Sequence, residues 1–386
     1  MVFAISTTAG YGVLTYSFGV LLTPMSRDLG WSKAFLSGAF SAALVVAALA
    51  GPLIGRRLDR HSPRGLLLGL AALSSLLVVA WAAAQTKAEF FAVWLLLGIG
   101  QAALFYGPAF TVLTKLYGGR SRYRAITSIS LVAGLASTIF APSVALLAGR
   151  LGWRGAVLVL AAVLALATIP PFWFGLGSIT AREESHPSPG RPREVLRSRT
   201  FWTLTAAYLV SGAATLVVAV HLVGFLQARG FSLAIAAACL GGVGLVQVLG
   251  RLFFVRLTDR VRGLRLGTWS LAAKGLGVGA LLLLPGWPGV VVFLLVYGSA
   301  NGLTTLTQAT SVSELYGARH FGSISSVVTS VAALGAAGAP FAAAAASDAF
   351  GGDGPVFAGV AAMLVVAAAL NGLVSPPAAE VEVPPT

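Results

Sequence analysis

The chain has 386 residues, of which 57% are hydrophobic and only 10% charged, and its formal net charge is +14. Its mean hydropathy is +0.88, and a soluble globular domain, with about a quarter of its residues charged, is excluded. The single cysteine, Cys239, allows no internal disulfide, so cysteine usage says nothing about redox compartment.

A hydrocarbon core about 30 Å thick takes roughly 20 apolar residues per helix. Twelve such runs follow one another, at about 2–25, 33–55, 65–84, 89–113, 125–149, 155–177, 201–226, 231–255, 266–284, 288–312, 321–345 and 355–374. The first lacks a basic leader and is longer than a signal-peptide core, so it reads as a span. Met1 lies almost directly on that run, as expected where a chain start is truncated. Barrel strands would alternate over about ten residues, whereas these runs are continuous. Their many glycines and alanines let membrane helices pack backbone to backbone. The expected fold is an all-α membrane protein of twelve transmembrane helices in two pseudo-symmetric six-helix bundles, 1–177 and 201–374. Residues 178–200, rich in Pro, Ser and charge, read as a linker, and 375–386 as a disordered tail.

The halves repeat each other. Gly30-Trp31-Ser32 opens a run that ends in Arg57-Leu58-Asp59-Arg60, and Gly230-Phe231-Ser232 opens one that ends in Arg256-Leu257-Thr258-Asp259-Arg260. Leu116-Tyr117-Gly118-Gly119-Arg120 is echoed by Leu315-Tyr316-Gly317-Ala318-Arg319, and Ala141-Pro142 by Ala339-Pro340. Repeats of long apolar runs mark secondary transporters, whose substrate site lies between the repeats.

The positive charge follows topology. Loops 56–64, 114–124, 178–200, 256–265 and 313–320 carry eighteen Lys/Arg, while the opposite loops carry six: Arg27, Lys33, Lys87, Arg150, Arg154 and Arg229. The positive-inside rule then places both termini in the cytoplasm of a multi-pass cell-membrane protein. No basic segment has the interleaved aromatics of a nucleic-acid surface, so the expected surroundings are lipid bilayer and no nucleic acid.

Gly55-Arg56-Arg57-Leu58-Asp59-Arg60-His61-Ser62-Pro63-Arg64 resembles the signature loop of the major facilitator superfamily, Gly-x-x-x-Asp-Arg-x-Gly-x-Arg, with Ser62 in place of the second Gly. The second copy keeps Asp259-Arg260 but has Val255 at the first Gly position. The resemblance implies a gating latch built from Gly55, Asp59, Arg60 and Arg64 and from Asp259 and Arg260. An acid facing a helix N-terminus and Arg–acid pairs are both favourable there. Shorter patches resemble bacterial relatives of the monocarboxylate porters and oxalate/formate antiporters. These are Tyr16-Ser17-Phe18-Gly19-Val20, His221-Leu222-x-x-Phe225, Tyr106-Gly107-Pro108, and Gln247-Val248-Leu249-Gly250-Arg251, where Gln247 stands for an Asp.

All twelve acidic residues fall in loops, termini or helix ends, and two cations lie deep in apolar runs, Arg251 and Lys274. A buried Arg costs at least about 2.5–3.5 kcal/mol on insertion scales and usually serves function. With Gln247 one turn away instead of an acid, Arg251 is free for a carboxylate arriving from outside, which the resemblance also implies. The other reading is that Arg251 snorkels to the end of its helix. Lys274 lies on helix nine, peripheral in the fold implied by the resemblance, and reads as snorkelling or paired with a neighbouring helix. One anchor suits a monoanion.

Tyr16, Tyr106, Gln247, Tyr297 and Asn301 are the polar candidates that complete the site, and His221 is the candidate proton carrier. No phosphate loop, metal cluster or nucleophile–base set is legible, so no cofactor, metal or enzymatic activity is expected. The expected protein is a monomeric secondary active transporter of small organic anions, monocarboxylates first, working by alternating access with protons as candidate coupling ions. The alternative is a drug or metabolite efflux antiporter, against which the lack of a membrane-embedded carboxylate weighs.

Overall fold

A computed structural model of the chain describes residues 1–117, 119–176, 195, 197–258, 263–316 and 321–374. The spans are numbered α1 to α12. The first, α1, joins Val2–Tyr11, a π-helical turn Gly12–Tyr16 and Ser17–Leu29; α2 is Lys33–Arg60 and α3 is Pro63–Ala83. Two helices, Lys87–Leu104 and Tyr106–Leu116, form α4, while α5 is Gly119–Ala133 followed by 136–151, and α6 is 153–175. The second half holds α7 (Arg199–Ala228), α8 (Leu233–Thr258), α9 (Gly263–Leu283) and α10 (Trp287–Tyr316). It ends with α11 (Phe321–Ala337, then Ala339–Phe350) and α12 (Asp353–Gly372). Among the described residues there is no strand. The expected linker and tail fall largely or wholly outside the described residues.

Among the described residues ten stretches are individually long and apolar enough to span a bilayer. The count reaches twelve because the π turn interrupts α1 and because 124–175 is one long stretch holding two spans. Gly152, at φ 70° and ψ 172°, divides that stretch. A residue with a Cβ is strained at positive φ, so glycine marks this corner.

The sequence repeat has a local physical cause. Gly30 (φ 65°) and Gly230 (φ 88°) each end a helix in a left-handed turn. Two residues later Ser32 and Ser232 accept a hydrogen bond from the backbone N–H of Phe35 (3.1 Å) and Ile235 (3.3 Å). Each thus caps the next helix. Two cations on this side of the bundle act on helix ends too. Arg154 donates to the carbonyls of Ala82 and Ala84 at the end of α3, and Arg229 to those of Leu281 and Leu282 at the end of α9.

Within the bundles α2 packs on α4, α9 on α10 and α12, α8 on α10, and α7 on α12. Between the bundles α1 meets α7, α2 meets α11, and α5 meets α8. Small residues mediate these contacts: Thr138 Oγ1 donates to Gly241 O (2.8 Å), and Phe341 N donates to Ser41 Oγ (3.2 Å). A Cβ at Gly19 would meet the Ala219 carbonyl, and one at Gly244 would meet the Ser137 and Thr138 hydroxyls. Backbone-to-backbone approach of this kind supplies the packing energy that hydrophobicity cannot supply between helices in lipid. These contacts join the bundles toward the end that carries the Gly30 and Gly230 turns.

Candidate functional site

The cavity-lining helices are irregular where they meet the cavity. Pro108 lacks an N–H and its ring clashes with the carbonyl four residues back, which is Leu104, and there the first part of α4 ends. The helix restarts at Tyr106. In α5 the helix stops at Ala133 and restarts at Ala136, and in α1 the π turn runs through Tyr16. Such backbone is tolerated at membrane depth only where it is buried in protein or lines a cavity.

The cavity, about 280 Å³, lies between the bundles. Its wall includes Tyr16 and Tyr106 from the first half and Gln247, Arg251 and Asn301 from the second. Five of the six expected substrate-site residues therefore converge, from four helices. Arg251, 7% exposed, donates from Nη1 to the Ser130 carbonyl at 2.5 Å. Gln247, one turn earlier, donates from Nε2 to the Gly134 carbonyl at 2.7 Å and accepts from Asn301 Nδ2 at 3.0 Å. Both α8 side chains thus reach across to α5 at its break, Arg251 to a Ser130 carbonyl that also accepts from the Gly134 N–H at 3.0 Å. Tyr106 adjoins the guanidinium, and Tyr16 adjoins Ser137. Among the described residues Arg251 Nε is buried without a hydrogen-bond partner.

Lys274 is paired with a neighbouring helix and does not snorkel. It is 1% exposed, too deep to snorkel, and lines the same cavity. Its Nζ donates to Thr215 Oγ1 at 2.7 Å and Ser211 Oγ at 3.2 Å, both on α7. The reason is packing: Gly277 lets α9 close onto the backbone of α10 at Tyr297, which turns the Lys274 face inward. The signal in the sequence is a lone cation in an otherwise apolar run. Tyr297 is not part of the cavity wall; it is buried against Phe293 (4.8 Å between ring centroids), with Lys274 Nζ 5.5 Å from its ring centroid.

The remaining expected residues lie elsewhere. His221 is buried outside the cavity wall, its Nε2 3.0 Å from the Pro340 carbonyl. Gly55 sits on α2 with open space beside it, Arg60 ends that helix exposed, and the Arg64 guanidinium lies 4.6 Å over the Trp173 ring of α6. Asp59 lies in α2, but its side chain, like the whole of Asp259 and Arg260, is outside the described residues. Among the described residues no carboxylate lines the cavity, and no group of three His, Cys, Asp or Glu could hold a metal ion. Chemically, the site is a cationic, hydroxyl- and amide-lined chamber.

The family model of the Major Facilitator Superfamily matches residues 3–340. A Thermoproteus tenax protein described as an uncharacterized 38 kDa protein in a 23S RNA operon is 28% identical over 209 residues, 53% of this chain. The chain spans about half the length (52%) of that curated relative. Among solved structures, a bacterial homolog to the human lysosomal transporter Spinster, inward-facing and occupied, aligns with a TM-score of 0.83 at 17% identity, over 97% of this chain and 95% of that one. A variant of the nucleoside transporter NupG aligns with a TM-score of 0.81 at 14% identity, over 96% and 98%. Identities this low show a shared fold alone.

Proposed function

This chain belongs to the Major Facilitator Superfamily, and from that premise we propose that it is a secondary active transporter of small organic anions bearing a carboxylate, monocarboxylates being the simplest. The observation that carries this reading is Arg251, buried in a cavity between the bundles that no carboxylate among the described residues lines. A guanidinium removed from water without a built-in counter-ion favours an anion supplied by the substrate, bound through its planar fork. Tyr106, Gln247 and Asn301 hydrogen-bond the rest of the molecule, with Tyr16 across the chamber. Because Arg251 and Gln247 also tie α8 to the α5 carbonyls, an anion on the guanidinium sits beside a bond between the bundles, which links binding to alternating access.

The reading is tested by counterflow in proteoliposomes with labelled lactate, pyruvate, formate and oxalate. Exchange of at least one, saturable and dependent on Arg251, is expected; no exchange of any of them counts against it.

Orientation follows from charge. With eighteen Lys/Arg in one set of loops and six in the other, both termini lie in the cytoplasm of the cell membrane. The joined end then faces outward. Reporter fusions within 178–200 and at the C-terminus should both report cytoplasm, and an external signal from either would break this topology.

The Asp59 and Asp259 loops are assigned to latching the inner gate. Asp59→Asn should slow counterflow while leaving the affinity for the exchanged anion within a few-fold of wild type. Loss of anion binding with normal gating kinetics would remove the latch role. His221 is the proton-coupling candidate, although anion binding does not reach it directly. His221→Gln should remove proton-driven accumulation and spare exchange, and unchanged accumulation would eliminate it as carrier.

A further inference from the structure

We propose that Lys274 is a second anion-binding point of the cavity and that the preferred substrate is an organic dianion with two separate carboxylates. The proposal rests on the anion-transport reading above and names the class within it.

The argument is one of charge balance. Among the described residues the cavity wall carries two cations, Arg251 and Lys274, and no carboxylate. The groups facing Lys274 from the helices packed against α9 are Ser211 and Thr215 on α7 and the Tyr297 ring on α10. The α12 residues met at the neighbouring Gly275 are Ala361, Leu364 and Val365, all apolar. Neutral hydroxyls orient an ammonium but do not compensate its charge, and a buried cation without an anion is costly. Two of the three N–H bonds of Lys274 go to hydroxyls, which leaves one donor for a ligand.

The two cations are held on different walls. Arg251 is fixed toward α5 through Ser130, and Lys274 toward α7 through Thr215. A single carboxylate on Arg251 therefore leaves the ammonium uncompensated, whereas a molecule with a carboxylate at each end satisfies both. Pockets for drug-sized ligands run from about 300 to 1,000 Å³. At about 280 Å³ the chamber has room for a short dianion.

The test is binding to the full-length protein in detergent, read by calorimetry, using chain-length-matched pairs: malonate with propionate, succinate with butyrate, glutarate with valerate. At least one dicarboxylate should bind about 10- to 100-fold tighter than its monocarboxylate partner, the increment of one added charge-assisted hydrogen bond. Lys274→Met should bring that ratio close to one. Should Lys274→Met fail to fold, Thr215→Val, which removes the positioning hydroxyl, should lower the same ratio, and an unchanged ratio there would overturn the proposal. Arg251-dependent monocarboxylate binding with ratios near one in wild type overturns this inference and leaves the anion-transport reading standing. A dicarboxylate preference that survives in Lys274→Met overturns it as well. Binding of neither class by wild type removes both readings together.

Discussion

Arg251→Ala is expected to abolish anion uptake in proteoliposomes. Truncating one partner of a buried, hydrogen-bonded charge pair costs about 2–5 kcal/mol, or roughly 30- to 4,000-fold in affinity. Arg251 has a second task, since its Nη1 ties α8 to the Ser130 carbonyl, and the alanine variant loses that tie too. Arg251→Gln keeps a polar side chain on α8 without the charge, its amide two bonds shorter than the guanidinium. It should be as inactive as Arg251→Ala while inserting into the membrane at wild-type yield. Arg251→Lys should rescue poorly, because a point charge lacks the fork that serves Ser130 and a carboxylate together. Recovery of uptake in Arg251→Gln would remove the anion-binding role of Arg251.

The second large effect concerns the joined end of the bundle. Gly244→Leu places a side chain where the Ser137 and Thr138 hydroxyls of α5 already lie. The α5–α8 contact must widen, and overpacking of this kind costs about 1–3 kcal/mol. Alternating access requires this end to close once per cycle, so a penalty of that size on one state slows exchange by roughly 5- to 150-fold. Affinity measured from the cavity side should change far less. Gly279→Leu serves as the control, because the space beside that α9 glycine is open, and it should exchange normally. Counterflow at the wild-type rate in Gly244→Leu would mean that this contact does not need to form during transport.

What can be read before folding and what cannot divide along one physical line. The bilayer constrains hydropathy along the chain, so twelve spans are legible as twelve apolar runs, and the duplication shows in Gly30-Trp31-Ser32 and Gly230-Phe231-Ser232. Those echoes are the same turn-and-cap chemistry used twice. A lone Arg251 with Gln247 one turn before it likewise stands out from residue types alone. Facing is a different matter. In a soluble helix the polar side announces the surface, but lipid tails are as apolar as a protein core, so an apolar helix does not say which side turns inward. Helix number alone therefore puts Lys274 at the periphery, and only the close seating of α9 on α10 through Gly277 shows it inside the cavity. For the same reason neither Tyr297 nor His221 can be told from a cavity residue by sequence. The carbonyls of Ser130 and Gly134 that receive Arg251 and Gln247 have no side-chain signature at all. They become a binding surface because α8 is packed across α5 where that helix breaks at 134–135.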